Sequence, residues 1–329
     1  MVLLSVPAAA LRYDFTIAGG ASGGINSAIH VWVEQRKAAD STEAPPATKY
    51  ALLLDAGGLS MPTEAIDGGN DLQLLVTHMH SDHCTGIPAL LAARTLNDKS
   101  TRVVLPHAAD AEARLRRVLA LFEELNTNEG EPYPFKLAIE TAMPGAELAG
   151  PAQKRVVVPF ATSHRVPSNG YAVVHRKRKL RSELLVDAAT GEPLPKAEHA
   201  ARMKQLRAEL TEDELYETEE VVELAYTGDS TISWLDGAGA SLALKAKLLV
   251  TEATFVCDAI DRDGAASRGH THLDDICANA ERFSEVGALV LTHFSRRYSE
   301  ADVRDAMTKK LPPALREKTT PLLLAGHHR

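Results

Sequence analysis

The sequence predicts an α/β protein, and three observations support this fold class. Short apolar runs rich in β-formers alternate with helical patterns along the 329 residues. The hydrophobic fraction of 45% and the charged fraction of 24% are ordinary for a folded domain. No apolar run approaches the roughly 18 residues that a membrane helix needs, so we expect no membrane span. The length allows either two domains or one large α/β domain.

Strands are predicted first. Residues 1–11 are apolar but lack the positively charged start and the longer apolar core of a signal peptide. We therefore interpret them as a first strand, and we expect 13–17 to continue the sheet. Eight later runs are short, apolar and bounded by polar or turn-forming residues. These strand candidates are 50–55, 72–77, 102–105, 155–160, 171–175, 222–227, 247–252 and 288–292.

Two helices are predicted from apolar residues at helical spacing. One covers 108–126, with charged residues opposite its apolar face. The other covers 272–286; Thr271 and Asp274 resemble a capping box at its start, and Gly287 ends it. The apolar face of the first helix consists of Leu115, Val118, Leu119, Phe122 and Leu125.

An inserted arm is predicted over 176–223, because this stretch shows no clear strand pair. It opens with the basic residues Arg176, Lys177, Arg178 and Lys179. They either contact substrate phosphates or protect a solvated edge strand from pairing with another edge. The arm then contains a polar helix that we expect to pack on the core or on a partner subunit.

The net charge of −8 arises within this arm. Residues 209–223 contain eight Asp and Glu and no Lys or Arg, so the rest of the chain sums to zero. An anionic substrate can therefore approach elsewhere, because steering depends on the local field. The three cysteines, Cys84, Cys257 and Cys277, are too few for a disulfide scaffold or a thiolate zinc site. This usage fits a reducing compartment. We expect a cytoplasmic protein, with an organelle also possible.

The segment directly after strand 72–77 carries the clearest chemistry. It contains His78, His80, Asp82 and His83 in an H-x-H-x-D-H pattern. Four side chains of this kind within six residues cannot all be buried without partners. Imidazole and carboxylate together suit zinc, manganese or iron, and the absence of thiolates argues against a closed structural zinc site. The sequence therefore predicts a reactive metal site.

Three later residues complete the candidate ligand set. His164, Asp229 and His293 each follow a predicted strand, and α/β sheets build their sites at the carboxyl ends of strands. The runs 74–78 and 289–293 are similar, since each is a buried strand that ends in a histidine. This similarity suggests two related halves. His107 also ends a strand but matches no ligand pattern, and we expect it to be structural.

The order of these residues resembles the metallo-β-lactamase superfamily. The resemblance implies one domain over 1–329 with a four-layer αββα sandwich and two metal ions. It implies that one ion is bound by His78, His80 and His164, and that Asp229 bridges the two. It implies that the other ion is bound by Asp82, His83 and His293.

A narrower resemblance is to the tRNase Z family. It implies an endoribonuclease that removes the 3′ trailer of precursor tRNA by attack of a metal-bridged hydroxide. It also implies a homodimer and two divalent ions, with zinc favoured over manganese or iron. Thr251 stands where the family has a histidine, and the arm lacks the family's Gly-Pro-rich hairpin. The similar segments are SHRVPSNGY at 163–171, TEATF at 251–255, GHTH at 269–272, LTHFSRRY at 291–298 and LPP at 311–313.

The residues suit cleavage of a phosphodiester. Asp82 is expected to orient or deprotonate the attacking water, and His270 to donate a proton to the leaving ribose oxygen. Glu252 is expected to hold His270 in the correct tautomer, and the helix start at His270 to favour an anion. His272 either contacts substrate or faces outward, and Arg297 is a further candidate for substrate binding. The alternative function is a small-molecule metallo-hydrolase at the same site, such as a cyclic-nucleotide phosphodiesterase, a lactonase or an arylsulfatase-like enzyme.

Overall fold

Two seven-stranded β-sheets form the centre of the computed structural model. It describes residues 2–6, 12–17, 21–22, 29–36, 49–57, 71–126, 130–131, 134–150, 154–187 and 190–323. The first sheet has the order β1-β2-β4-β5-β6-β7-β8. Its strands are β1 (Val2–Val6), β2 (Arg12–Ile17), β4 (Ile29–Arg36), β5 (Lys49–Leu54), β6 (Asp71–Leu75), β7 (Ser100–Pro106) and β8 (Leu137–Ala142).

The second sheet has the order β16-β14-β13-β12-β11-β10-β9, and β3 (Ala21–Ser22) pairs separately with β15 (Phe294–Ser295). All eight predicted strands from 50 to 292 are present. The predicted first strand is present as β1, and 13–17 continue the sheet within β2, which pairs antiparallel with β1; residues 7–11 lie outside the described ranges. The second sheet contains β9 (Leu148–Ala149), β10 (Arg155–Ala161), β11 (Asn169–Leu180), β12 (Tyr216–Tyr226), β13 (Leu248–Glu252), β14 (Ala288–Thr292) and β16 (Thr319–Pro321).

Helices cover the outer faces of both sheets. Within the described residues, no helix combines the length and the apolar character needed to cross a membrane. Three short 3₁₀ helices cover Ser182–Leu185, Ile232–Asp236 and Ala280–Phe283. The α-helices are α1 (Ser81–Cys84), α2 (Ile87–Leu96), α3 (Ala111–Leu125), α4 (His199–Glu209), α5 (Glu212–Leu215), α6 (Ala240–Ala243), α7 (Arg262–Ser267), α8 (Leu273–Ala278), α9 (Glu300–Lys310) and α10 (Pro313–Arg316).

Three separate apolar clusters define four layers. Successive side chains of a strand point to opposite faces of its sheet. On β6, Leu75 therefore packs between the two sheets, whereas Leu74 packs against α2 and α3. On β13, Val250 packs between the sheets and Leu249 packs under the helices of the other side. The predicted αββα sandwich is confirmed.

The two predicted helices differ in detail from those observed. α3 buries Ala111, Leu115 and Leu119, whereas Phe122 and Leu125 are 38% and 78% exposed, so the predicted apolar face is only partly covered. The predicted helix 272–286 is divided into α8 and the 3₁₀ helix that follows it.

The arm was expected to lack a strand pair, and this expectation is wrong. Residues 176–180 of β11 pair antiparallel with 216–220 of β12, so the base of the arm is a two-stranded ribbon. Arg176 lies opposite Glu220 and Lys179 opposite Glu217, and opposite charges in such pairs stabilise a sheet. The pairing was missed because this ribbon alternates charge rather than apolar residues. The register of β11 with β10 ends at His175, so within the described residues the basic run keeps an open edge on the side away from β12, as the edge-strand alternative expected.

Candidate metal centre

The candidate ligands converge at one edge of the sandwich. β6, β10, β12 and β14 each end just before a segment that carries one or more of them. The two sheets face each other, so the chain ends of these strands bring distant side chains together. The seven residues that the structure brings together are His78, His80, Asp82, His83, His164, Asp229 and His293.

The turn after β6 is shaped by close backbone contacts. The His83 N–H donates to the His80 carbonyl at 3.0 Å at the start of α1, and the Thr85 N–H donates to the Ser81 carbonyl at 2.8 Å, which closes its single turn. The Ala56 N–H donates to the His83 carbonyl at 2.8 Å. A Cβ on Gly57 would lie 1.4 Å from the Asp82 carbonyl oxygen, so only glycine allows this approach. The backbone thus fixes Asp82 and His83 beside the histidines that precede them.

The first group contains three imidazoles. His80 Nδ1 lies 3.1 Å from His78 Nε2 and 3.1 Å from His164 Nε2. The ligand-type atoms of this group all lie within 4.8 Å of one another. Three converging imidazole nitrogens match the donors that a catalytic zinc site commonly uses.

The second group contains Asp82, His83 and His293, whose ligand-type atoms also lie within 4.8 Å of one another. The Asp229 carboxylate lies between the two groups. Its Oδ2 is 3.4 Å from His83 Nε2, 3.2 Å from His293 Nε2 and 4.0 Å from His78 Nε2. One carboxylate therefore reaches both groups.

Most of the imidazoles form a hydrogen bond through Nδ1, the nitrogen that does not face the other ligand candidates. His164 Nδ1 contacts the Gly269 carbonyl at 2.7 Å, and His293 Nδ1 contacts Thr254 Oγ1 at 2.7 Å. His83 Nδ1 contacts Asp55 Oδ2 at 2.8 Å. Such outer contacts orient a ligand and increase its basicity.

Asp55 is a functional residue that the sequence analysis missed. It follows β5, is fully buried, and accepts hydrogen bonds from the Thr77 N–H at 2.7 Å and from the Tyr226 hydroxyl at 3.1 Å. The only signal in the sequence was a carboxylate directly after an apolar run of three leucines. A buried carboxylate with this many donors positions the histidine-rich turn.

Two buried nitrogens suggest what the site binds. The Nε2 atoms of His83 and His293 are buried and have no hydrogen-bond partner among the described residues. Leaving such an atom without a partner costs about 1–3 kcal/mol. Both atoms point toward Asp229 in a set that offers only nitrogen and oxygen donors, so the residues fit a divalent metal ion.

The charges of the centre also fit a cation. Burial lowers the pKa of His78 and of His293, so these imidazoles stay neutral, as metal binding requires. Burial acts to raise the pKa of Asp229, but the surrounding histidines outweigh it and hold this pKa well below its usual value. His83 differs, because Asp229 and Asp55 outweigh burial and raise its pKa well above the ordinary value, so an ion bound there would have to displace a proton from this imidazole.

A buried glutamate and a histidine lie beside the ligand groups. Glu252 ends β13 and accepts hydrogen bonds from the Ser230 N–H at 2.7 Å and the Thr271 N–H at 3.1 Å. His270 Nδ1 contacts the same carboxylate at 3.0 Å, and the His270 ring stacks on that of His293 with centroids 5.2 Å apart. Burial acts to lower the pKa of His270, but Glu252 outweighs it and raises this pKa to about 9. His270 is therefore a protonated acid at neutral pH.

The start of α8 differs from the predicted anion site. The helix is capped by His272, whose Nδ1 accepts from the Asp274 N–H at 3.0 Å, and by Asp275, which accepts from the His272 N–H. The Thr271 N–H is already used by Glu252, and the first turn is acidic. His272 is buried, so the expectation that it faces outward is wrong.

Four of the five proposed substrate-binding residues, those of the arm, lie apart from the ligands, whereas Arg297 lies over Phe255, whose ring centroid is 6.2 Å from that of His270. Asn169, at the start of β11, donates to the Thr77 carbonyl beside the centre. Seven residues further along the strand, Arg176 is roughly 23 Å away at about 3.3 Å per residue. Arg176 pairs with Glu147 and Glu220, and Arg178 pairs with Glu212. Lys177 and Lys179 lie opposite Glu219 and Glu217 of β12, and the Arg297 guanidinium lies 5.5 Å from the Phe255 ring centroid.

No family model matches the chain, but whole-sequence comparison finds clear relatives. The chain is 30% identical to tRNase Z TRZ1 of Arabidopsis thaliana over 241 residues, which covers 73% of this chain and 78% of that protein. It is 30% identical to the chloroplastic tRNase Z TRZ2 of the same plant over 250 residues, or 76% of this chain. The chain spans 64% of the length of TRZ2.

Solved structures share the fold. The metallo-β-lactamase fold protein YhfI from Bacillus subtilis superposes with a TM-score of 0.54 at 17% identity, over 94% of this chain and 96% of its own. The short form of human tRNase Z, ELAC1, superposes with a TM-score of 0.52 at 18% identity, over 92% and 94%. The fold is thus that of the metallo-β-lactamases, and the chain belongs to the tRNase Z family.

Proposed function

We propose that this protein is a metal-dependent endoribonuclease that removes the 3′ trailer of precursor tRNA. The observation that carries the proposal is the convergence of seven His and Asp side chains beside the Glu252–His270 pair. A phosphodiester suits this arrangement, because it needs cations at the phosphate and an acid at the leaving oxygen. The relatives named tRNase Z support the choice of substrate.

The proposal includes two divalent ions. His78, His80 and His164 would hold one, Asp82, His83 and His293 the other, and Asp229 would contact both. Zinc is the ion that we propose, while manganese and iron are accepted by the same donors. When bound, such ions neutralise the phosphate and lower the pKa of water to near neutrality.

Three side chains carry out the proton transfers in this proposal. Asp82 remains partly exposed, with 24% of its side chain accessible, so it can orient the attacking water and accept its proton. His270 keeps its Nδ1 on Glu252, which leaves Nε2 to protonate the 3′ oxygen of the departing ribose. Glu252 is held by backbone N–H groups and stabilises the charged form of His270.

The remaining proposals concern assembly and location. We propose a homodimer, which is supported by an exposed apolar stripe on α3 formed by Val118, Leu121, Phe122 and Leu125. The arm, 176–223, is proposed to bind substrate or to contact the partner subunit. The three cysteines are unpaired, which supports a reducing compartment, the cytoplasm or an organelle.

Cleavage-site mapping tests the function. Protein loaded separately with Zn²⁺, Mn²⁺ or Fe²⁺ is incubated with precursor tRNAs and with simple phosphodiesters, esters and lactones. We expect cleavage directly after the discriminator base, with a 3′-hydroxyl on the tRNA. If no ion supports this cleavage while a small substrate is turned over rapidly, the small-molecule hydrolase is the correct function.

A further inference from the structure

Two cavities flank the candidate metal centre, and their charges differ. One is lined by His270, Arg262 and five aspartates, which are Asp258, Asp261, Asp263, Asp274 and Asp275. Arg262 pairs with Asp275, and Lys310 pairs with Asp258 and Asp274, so the cavity keeps an excess of carboxylates over cations. The other includes His164 and Arg165, and none of its thirteen described lining residues is Asp or Glu. The rings of His164 and His270 are 5.3 Å apart, so the two cavities meet at the centre.

We propose that the second cavity binds a nucleotide directly next to the scissile phosphate. We call it the Arg165 cleft and define it by Pro106, His107, Met143, Arg165, Val166 and Pro167. The inference rests on the proposed function and adds to it the path of the RNA. A polyanion is attracted more to the Arg165 cleft, whose described lining has a cation and no carboxylate, than to the cavity with an excess of aspartates, so we expect the RNA strand to pass over the Arg165 cleft.

The cleft is continuous with the metal centre. His164 forms part of its wall through the same side chain that lies 3.1 Å from His80. The cavity measures about 500 Å³, which is within the size range of small-molecule sites. A nucleotide whose phosphate lies at the ligand groups therefore has its base within reach of the cleft.

An exposed apolar surface provides a platform for a base. Met143 is 58% exposed although it follows a buried residue of β8. Pro144, Val166 and Pro167 lie around the same cavity. None of the described lining residues is Phe, Tyr or Trp, so the platform differs from the aromatic platforms on which single-stranded bases commonly stack. The methionine thioether is nevertheless suited to contact with an aromatic ring, and a base is such a ring. A nucleobase is thus a suitable ligand for the exposed Met143.

Arg165 provides the cation. Its side chain packs against Gly269, where a Cβ would lie 2.8 Å from Arg165 Cγ and 2.8 Å from His164 Nδ1. Gly269 has a φ of +81°, which also favours glycine. Arg165 is exposed and forms no ion pair with the described residues, so its guanidinium is available for a phosphate.

His107 adds a hydrogen-bonding group. It was expected to be structural, but it is exposed at the end of β7 and lines the cleft. An exposed imidazole next to an apolar platform can hydrogen-bond the edge of a stacked base. The cleft therefore combines a stacking surface, a cation and a polar group, as single-stranded RNA sites do.

A cycle of protein and substrate changes tests the proposal. Precursor tRNAs carry an abasic site at the nucleotide directly 5′ or directly 3′ of the scissile phosphate. We expect one of the two to lower kcat/KM of the wild-type protein about tenfold. Met143→Ala should lower kcat/KM on the unmodified RNA by a similar factor, and the abasic site should then have less than a twofold further effect. An equal abasic effect in both proteins at both positions would overturn the proposal.

Arg165→Ala tests the phosphate contact separately from the stacking of the base on Met143. For this variant we expect the KM for precursor tRNA to rise by a factor about ten times larger than the change in kcat. We also expect the salt dependence of binding to decrease. Arg304→Ala is the matched control, because it removes the same charge from an exposed site on α9. Metal content and circular dichroism identify a variant that disturbs His164 or the fold. An effect of Arg304→Ala equal to that of Arg165→Ala would refute the specific contact.

A binding assay distinguishes failure of this inference from failure of the proposed function. If the wild-type protein cleaves no precursor tRNA, the function is wrong. Fluorescence anisotropy with a labelled single-stranded oligonucleotide then tests the cleft by itself. Binding that Met143→Ala and Arg165→Ala weaken about tenfold supports the cleft, and binding that neither changes overturns it.

Discussion

At the scale of single residues, the centre depends on side chains that are fixed before any ligand arrives. Asp55 and His293 have φ values of +60° and +63°, in a region that non-glycine residues rarely adopt. Such backbone strain persists only where the surrounding contacts determine it. Here the Asp55 side chain is held by Thr77 and Tyr226, and His293 is held by Thr254. The strain is the cost of directing these two side chains to the centre.

His270→Ala tests the proposed general acid. We expect metal content to stay unchanged while precursor cleavage falls by about 10²–10⁴, the usual contribution of a proton donor. Inductively coupled plasma mass spectrometry gives the metal content, and single-turnover assays give the rate. Loss of metal from this variant would instead make His270 a ligand, since its ring lies close to Asp229 and His293.

Asp55→Asn tests the support behind His83. The amide cannot accept from Thr77 and His83 as the carboxylate does, so the His83 ring loses its fixed orientation. We expect metal affinity to fall about 10–100-fold, as for other changes to a group that hydrogen-bonds a metal ligand. Competition with a chromophoric chelator measures it. Asp302→Asn, in the exposed capping box of α9, is the control and should keep wild-type affinity.

At the scale of elements, the ribbon formed by β11 and β12 brings together a basic run and an acidic run that are far apart in the sequence. Basic residues on one strand lie opposite acidic residues on the other, and the exposed pairs among them contribute little stability individually. Because the ribbon extends away from the centre, its basic residues can only contact parts of a substrate far from the scissile bond. A role in RNA binding therefore requires a long substrate.

The double variant Arg178→Glu with Lys179→Glu tests this role. We expect weaker binding of precursor tRNA, a smaller salt dependence and unchanged turnover of a small phosphodiester. Electrophoretic mobility shift at several salt concentrations measures the first two quantities. Equal losses on both substrates would show that the ribbon stabilises the fold and does not follow phosphates.

The exposed stripe on α3 belongs to the same scale. Arg114 and Arg116 are already paired with Asp110 and Glu112 at the start of the same helix, so the case for a contact rests on the apolar residues. Two copies packed about a two-fold axis would cover the stripe of each copy with that of the other.

Leu121→Glu tests the interface. Leu121 is 62% exposed, so the substitution should leave the thermal stability of the monomer unchanged while it places a charge in the stripe. We expect the dimer to dissociate at least tenfold more readily, measured by light scattering coupled to size-exclusion chromatography. Lys309→Glu, exposed on α9, is the control. A wild-type chain that is monomeric at all concentrations would contradict the proposed assembly.

At the scale of the whole molecule, one buried charged cluster joins β10, β11 and β12 where the ribbon leaves the sandwich. Arg155 Nε donates to Glu223 at 2.8 Å, and both side chains are almost fully buried. His175 is their neighbour. Removing one member of such a pair leaves an uncompensated buried charge, which costs about 3–5 kcal/mol. The base of the ribbon is therefore fixed even though its outer part is exposed.

His175 makes stability depend on pH. Burial and the charge of Arg155 lower its pKa in the folded state, while Glu223 opposes them without prevailing. The unfolded chain therefore binds the proton more strongly than the folded chain. The contribution is complete above about pH 6.5, the ordinary pKa of histidine, and is lost as pH falls below it. We expect His175→Gln to reduce the acid-side decrease in Tm, measured by thermal unfolding at fixed metal saturation. If Tm falls equally with decreasing pH in the wild type and in His175→Gln, the expectation is contradicted.

The alternation of strands and helices and the candidate ligands were predictable because both follow from local patterns, whereas the sandwich was implied by the resemblance to a known superfamily. Strands such as 72–77 and 288–292 are continuous apolar runs, and each is followed by a histidine. A turn through H-x-H-x-D-H directs His78 and His80 toward one point and Asp82 and His83 toward a neighbouring one. The face of α3 was less predictable, because helical spacing marks an apolar stripe without indicating what covers it.

What the sequence determined by itself is the type of chemistry: nitrogen and oxygen donors after strands, with a histidine and a glutamate as candidates for proton transfer. Tertiary structure alone decided which groups support these donors. Asp55, the ribbon pairing, the cap at His272 and the Arg165 cleft each join residues that are far apart in the chain or that lack a distinctive neighbour. Local sequence encodes backbone preference and side-chain chemistry, but distance between elements is fixed only when the two sheets pack and bury their shared face.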